Sequence, residues 1–163
     1  AVAINGKGYV YGGPPSYLTG EEFTPPTDPV DPAPQPYLGS WAPEANGWNF
    51  QSGGCATDGT YLYLFGGDQE SGGASAPPIY RQLRRYDPAG NAWTTLQQMP
   101  AEVMMNAGAY CNGRLFSIGG GTESTISDAI HVFTISTGTW QTAATVLSQP
   151  TLGGAAATLG NKV

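Results

Sequence analysis

A pair of glycines follows a short apolar run three times in this chain. Tyr9-Val10-Tyr11 precedes Gly12-Gly13, Leu62-Tyr63-Leu64-Phe65 precedes Gly66-Gly67, and Leu115-Phe116-Ser117-Ile118 precedes Gly119-Gly120. The pairs stand 54 and 53 residues apart. An aromatic residue followed seven positions later by tryptophan also recurs, as Trp41 to Trp48, Tyr86 to Trp93 and Phe133 to Trp140, with the tryptophans 45 and 47 residues apart. Largely apolar runs of three or four residues bounded by turn signals read as short strands. Self-similarity at this period, built from short strands, predicts an array of four-stranded β-propeller blades.

The second copy shows the plan of one blade. Ala56-Thr57 leads into Asp58-Gly59, a tight-turn signal because glycine reaches positive φ without a steric cost. Tyr61 to Phe65 is a strand, Gly66-Gly67 a sharp turn or close approach, and Ile79 to Tyr86 a third strand. Asp87-Pro88-Ala89-Gly90-Asn91 is a turn, and Ala92 to Leu96 is the fourth strand. The third copy repeats this with Asn112-Gly113, Gly119-Gly120, Ala129 to Ile135 and Thr137-Gly138-Thr139-Trp140. A four-stranded sheet cannot cover both its own faces, so the aromatics and glycines are assigned to packing between blades.

Gly-Gly after an apolar strand, then an aromatic-Asp-Pro turn with tryptophan seven residues on, resembles the kelch repeat. The likeness is sharpest at Gly66-Gly67, Tyr86-Asp87-Pro88 and Asn91-Ala92-Trp93, and it runs through nearly the whole chain. The first copy departs from it, with Trp41-Ala42-Pro43 at the Tyr-Asp-Pro position, and the third has Phe133-Thr134-Ile135. The expected architecture is all-β: blade 1 over residues 1–51, blade 2 over 52–99, blade 3 over 100–147, and the start of a fourth blade over 148–163. Asn161-Lys162-Val163 falls in register with Gly113-Arg114-Leu115. Three blades and a fragment do not close a ring of four to eight. Two expectations stay open: a longer polypeptide supplying further blades, or several copies completing a ring together.

Residues 14–40 read as an insert between the second and third strands of blade 1. Eight of its 27 residues are proline, four are acidic and none is basic. Such sequence stays extended and tolerates length cheaply, so removal of 19–36 is expected to leave the fold intact. With the loop Asp68 to Pro78 of blade 2, it marks one end of the propeller as the expected working surface. The candidate binding residues are Tyr17, Tyr37, Asp68, Gln69, Glu70 and Glu123.

Only 11% of residues are charged, the net charge is −6, and lysine occurs only at Lys7 and Lys162. Arg81, Arg84 and Arg85 are set against twelve acids, so nucleic acid is not expected as a partner. No apolar run approaches the roughly 20 residues of a membrane-spanning helix, and membrane insertion is not expected. Low lysine and abundant Gly, Pro, Ser and Thr point to a secreted or cell-surface protein, with a cytoplasmic one as the alternative. Cys55 and Cys111 fall near the first strands of blades 2 and 3 in different registers, which favours free thiols over a disulfide.

No catalytic residue, metal ligand or cofactor is expected. The single histidine, His131, is three residues from Asp128 on a strand, so the two point to opposite faces. Glu123, Asp128 and His131 do not match the Glu-x3-Asp-x3-His spacing carried by some kelch-like iron proteins, and one histidine cannot supply copper-oxidase chemistry. Gly119-Gly120-Gly121 lacks the Lys-Ser/Thr of a phosphate loop. The expected function is a non-catalytic binding or scaffold module recognising a protein or glycan through loops at one end. The alternatives are a structural part of an extracellular assembly, or part of a secreted carbohydrate oxidase or sugar isomerase with its catalytic residues in other blades.

Overall fold

The computed structural model describes residues 1–12, 19–25, 40–46, 49–69 and 79–163. They form three four-stranded antiparallel sheets, each paired in chain order. Blade 1 is β1 (Val2–Ile4), β2 (Lys7–Tyr11), β3 (Gly20–Thr24) and β4 (Ser40–Glu44). Blade 2 is β5 (Gly54–Thr57), β6 (Leu62–Phe65), β7 (Leu83–Asp87) and β8 (Ala92–Thr95). Blade 3 is β9 (Ala107–Cys111), β10 (Arg114–Ile118), β11 (Ile130–Thr134) and β12 (Thr139–Thr142). Asn5-Gly6 and Asn112-Gly113 take left-handed φ at both positions, the requirement of a two-residue hairpin turn. A further tight turn has left-handed φ at Gly160 alone, and there Leu159 and Lys162 exchange backbone hydrogen bonds of 2.9 and 3.2 Å.

The register of blade 1 corrects the sequence reading. Four residues before Gly-Gly, Leu62 faces Tyr86 and Leu115 faces Phe133, and these in turn face Trp93 and Trp140. In blade 1 the same positions are Gly8, Phe23 and Trp41. Trp41 is thus the fourth-strand tryptophan, stacked 5.0 Å from Phe23, and not the third-strand aromatic. Trp48, expected in the tryptophan role, lies outside the described residues, as does Gly13. The seven-residue spacing from Trp41 to Trp48 misleads because residues 25–39 lengthen the β3-to-β4 connection, which spans only Pro88 to Asn91 in blade 2. The stretch 14–40 therefore contains all of β3. Removing 19–36 would delete a strand instead of trimming a loop.

The first glycine of each pair is pressed onto the chain entering the next blade. A Cβ at Gly66 would stand 2.6 Å from the Val103 carbonyl oxygen, and one at Gly119 2.7 Å from that of Thr151. Gly12 meets the Phe50 carbonyl more closely still. Gly12, Gly66 and Gly119 take left-handed φ, of 76°, 68° and 60°. The second glycine donates to the same carbonyl: Gly67 N–H to Val103 O at 2.7 Å and Gly120 N–H to Thr151 O at 2.8 Å. Gly66-Gly67 and Gly119-Gly120 are thus backbone joints between blades that no side chain could enter.

Side chains fill the wedges outside these joints. β6 is buried on both faces, which explains its unbroken apolar run. Leu62 and Leu64 join Ile4, Tyr9, Phe50 and Tyr86 between blades 1 and 2. Tyr63 and Phe65 join Leu83, Met99, Val103, Leu115 and Phe133 between blades 2 and 3. The tryptophans lock the outer edge: Trp93 packs edge-on to Tyr11 at 4.8 Å and donates to Ala45 O at 3.0 Å. Trp140 packs on Phe65 at 6.2 Å and donates to Gln97 O at 2.9 Å.

Inside blade 1, Glu22 accepts from Lys7 Nζ at 2.6 Å and from the Tyr9 hydroxyl at 2.7 Å. These two bonds hold its carboxyl below the ordinary carboxylate value. A lowered folded-state value contributes stability above the unfolded pKa, and that stability is lost as pH falls through the folded value.

Two outcomes follow from the joints and this cluster. Gly66→Ala should cost about 3 kcal/mol, left-handed strain plus a backbone collision, whereas Gly59→Ala, with nothing within 4 Å, should cost about 1 kcal/mol. Urea unfolding separates the two, and equal losses would contradict the joint. For Glu22→Gln, the melting-temperature gap to the wild type should shrink as pH drops below about 4.5. A gap that stays constant there would remove Glu22 from the account.

Candidate binding face

Antiparallel order puts two sets of segments at one end of every blade: the connections after Gly-Gly and the links into the next first strand. Each link enters through a residue with left-handed φ, Ser52, Met105 and Gly153, at 54°, 54° and 64°. These are chained head to tail, Met105 N–H donating to Ser52 O and Gly153 N–H to Met105 O at 2.8 Å. The Met105 side chain is left 43% exposed at this end.

The connection of blade 3 is a short, stiff hairpin. Gly121 bridges both Met104 and Ile126. Thr122 N–H donates to Thr125 O at 2.9 Å, and the two threonine hydroxyls lie 2.8 Å apart. The turn holds Glu123 and Ser124 exposed at its tip, and Ile126 beside them is 55% exposed. Glu102 is exposed on the adjoining link.

The candidate residues are distributed unequally. Glu123 is displayed at the tip. Asp68 is at the same end but turned in, 6% exposed, with its backbone paired to Gln51 and Ile79 and its Oδ1 without a hydrogen-bond partner. The Gln69 Oε1 accepts the Tyr80 hydroxyl. Tyr17, Tyr37 and Glu70 lie outside the described residues. β3 leaves for β4 at Thr24, from the end of blade 1 opposite to the one that Asp68 occupies in blade 2, so the expectation that all of 14–40 expands the same side as the Asp68 connection does not hold. Sequence reasoning missed Met105 and Ile126. The available signals were Met104-Met105 just before a first strand and one apolar residue within the polar run Thr122 to Ser127.

His131 is buried on β11 with Nδ1 3.0 Å from Thr142 Oγ1, and burial pushes its pKa below the usual value. A neutral, hydrogen-bonded histidine in a sheet is a packing residue. Among the described residues no three His, Cys, Asp or Glu side chains are grouped to hold a metal, and no helix is long and apolar enough to cross a membrane. Cys55 and Cys111 are free thiols, the first half-buried and the second buried.

No protein-family model matches the chain. It is 31% identical over 97 residues to human Kelch-like protein 34, an overlap covering 53% of this chain and 15% of that protein. The solved structure of YjhT superposes with a TM-score of 0.75 at 19% identity, covering 97% of this chain and 54% of that one. The chain thus spans a small part of the first and about half of the second. With the Gly-Gly joints, the tryptophan locks and three four-stranded sheets in sequence order, this chain has the fold of a kelch-type β-propeller.

Proposed function

We propose that the chain is a non-catalytic binding module that recognises a protein partner through the end carrying the Gly-Gly connections. The observation that supports this most is the stiff Thr122–Thr125 hairpin. Its own hydrogen bonds hold Glu123, Ser124 and Ile126 in solvent, so little ordering entropy opposes binding there. Exposed Ile126 and Met105 provide apolar contact, with Glu123 and Glu102 as charged groups around it. Methionine at an exposed edge adapts to the shape of a partner. Exposed apolar side chains beside carboxylates favour a protein surface over a glycan, whose hydroxyls call for planar polar groups and aromatic platforms.

The test compares two variants of the whole protein by quantitative proximity labelling. Ile126→Asp with Met105→Glu alters the proposed face. Ser136→Glu alters the exposed β11-to-β12 turn at the other end. Enrichment of a specific partner should fall at least tenfold, on the order expected for losing a central apolar anchor, in the first and hold in the second. Equal enrichment in both, with unchanged melting temperatures, would contradict the proposal.

A further inference from the structure

The three methionines of the chain, Met99, Met104 and Met105, all belong to the link from blade 2 to blade 3, yet their surroundings differ sharply. Met99 is fully buried between the two blades, in the cluster that holds Phe65, Leu83 and Leu115. Met104 is half-buried, with its backbone paired to Gly121. Met105 is exposed and belongs to neither core cluster.

Met105 also carries backbone strain. Its φ of 54° lies in the left-handed region, where the equivalent links have Ser52 and Gly153. A side chain as long as methionine is a costly choice there. Hydrogen bonds on both sides keep it in place, Met105 N–H donating to Ser52 O and Gly153 N–H to Met105 O. With neighbours in the row on either side, the direction of its Cβ is fixed, and the thioether stands in solvent at the end that displays Ile126. Strain held by surrounding bonds is concentrated at working positions.

Of the two exposed apolar groups named at this end, only the thioether can be oxidised. A peroxide transfers one oxygen atom to the sulfur: the O–O bond breaks, the S–O bond forms, sulfur gives up two electrons and the remaining peroxide oxygen leaves as water. The sulfoxide is polar and accepts hydrogen bonds, so a dry apolar contact made by Met105 would lose its fit. A dithiol reverses the step, taking the sulfoxide oxygen off as water while it becomes a disulfide.

The geometry points to Met105 as a reversible oxidation site that releases the partner from this end. The inference rests on the protein-binding reading above and adds its regulation. In the whole protein treated with hydrogen peroxide and mapped by mass spectrometry, Met105 should gain oxygen about tenfold faster than Met99, whose sulfur is reached only when the seam opens. The melting temperature should not change at that stage. Biotin-ligase proximity labelling is then compared with and without a peroxide pulse in the wild type and in Met105→Leu. Enrichment of a specific partner should fall about tenfold in the wild type, recover with methionine sulfoxide reductases, and hold in Met105→Leu. Cys55 and Cys111 are the same in both proteins, so thiol oxidation affects both alike. Oxidation of Met105 no faster than that of Met99, or an equal response of the two proteins to peroxide, would overturn the inference and leave the binding face standing. Enrichment insensitive to Ile126→Asp would contradict the binding face itself, and this inference with it.

Discussion

One backbone-to-backbone contact organises this molecule: a left-handed glycine pressed against a carbonyl of the chain entering the next blade. It occurs at Gly12 on Phe50, Gly66 on Val103 and Gly119 on Thr151. A larger residue would meet two penalties at once, the conformation and the collision. The second glycine turns the contact into a hydrogen bond at Gly67 and Gly120. Everything outward of the joint follows from it. Sheets fixed at this spacing leave wedges that only large apolar side chains fill, which is why both faces of β6 are apolar and why tryptophans stand at the rim.

Blades joined alike at the glycines have diverged at the rim. Between blades 1 and 2 the closure is polar. Tyr86 donates to Glu44, Asn91 Oδ1 accepts Ala45 N–H at 2.6 Å, and Trp93 donates to Ala45 O. Burial and the Glu44 hydrogen bond raise the Tyr86 pKa, so the phenol stays a neutral donor. Between blades 2 and 3 the corresponding residues are Phe133 and Gly138, which have neither the hydroxyl nor the amide, and the indole of Trp140 carries the rim bond. The same joint thus supports one rim closed by several polar side chains and another closed by an indole alone.

The architecture was legible in sequence because its strongest constraints are local and repeated. Gly66-Gly67 and Gly119-Gly120 declare the joint, and Asn112-Gly113 declares the hairpin. Blade 1 was misread because register is a property of pairing, not of spacing. Phe23 is aligned with Tyr86 by its partner Gly8, a relation that appears only when β2 and β3 meet. Exposure at this end was legible at Glu123 and misread at Asp68, whose burial depends on Gln51 seventeen residues earlier and on Ile79 beyond the connection. Met105 carried no sequence signal of its left-handed conformation, which comes from the chained bonds to Ser52 and Gly153.

The most direct test of the glycine joint is native-state hydrogen exchange at two amides, Gly67 and Gly120. Both lie at the ends of strands, where isolated sheets fray, yet both bond to the following blade. If the joint organises the fold, these amides exchange within an order of magnitude of the slowest amides of β6 and β10. Exchange as fast as that of Glu123 at the exposed hairpin tip would show that the blades are held by side-chain packing alone, and would contradict the account.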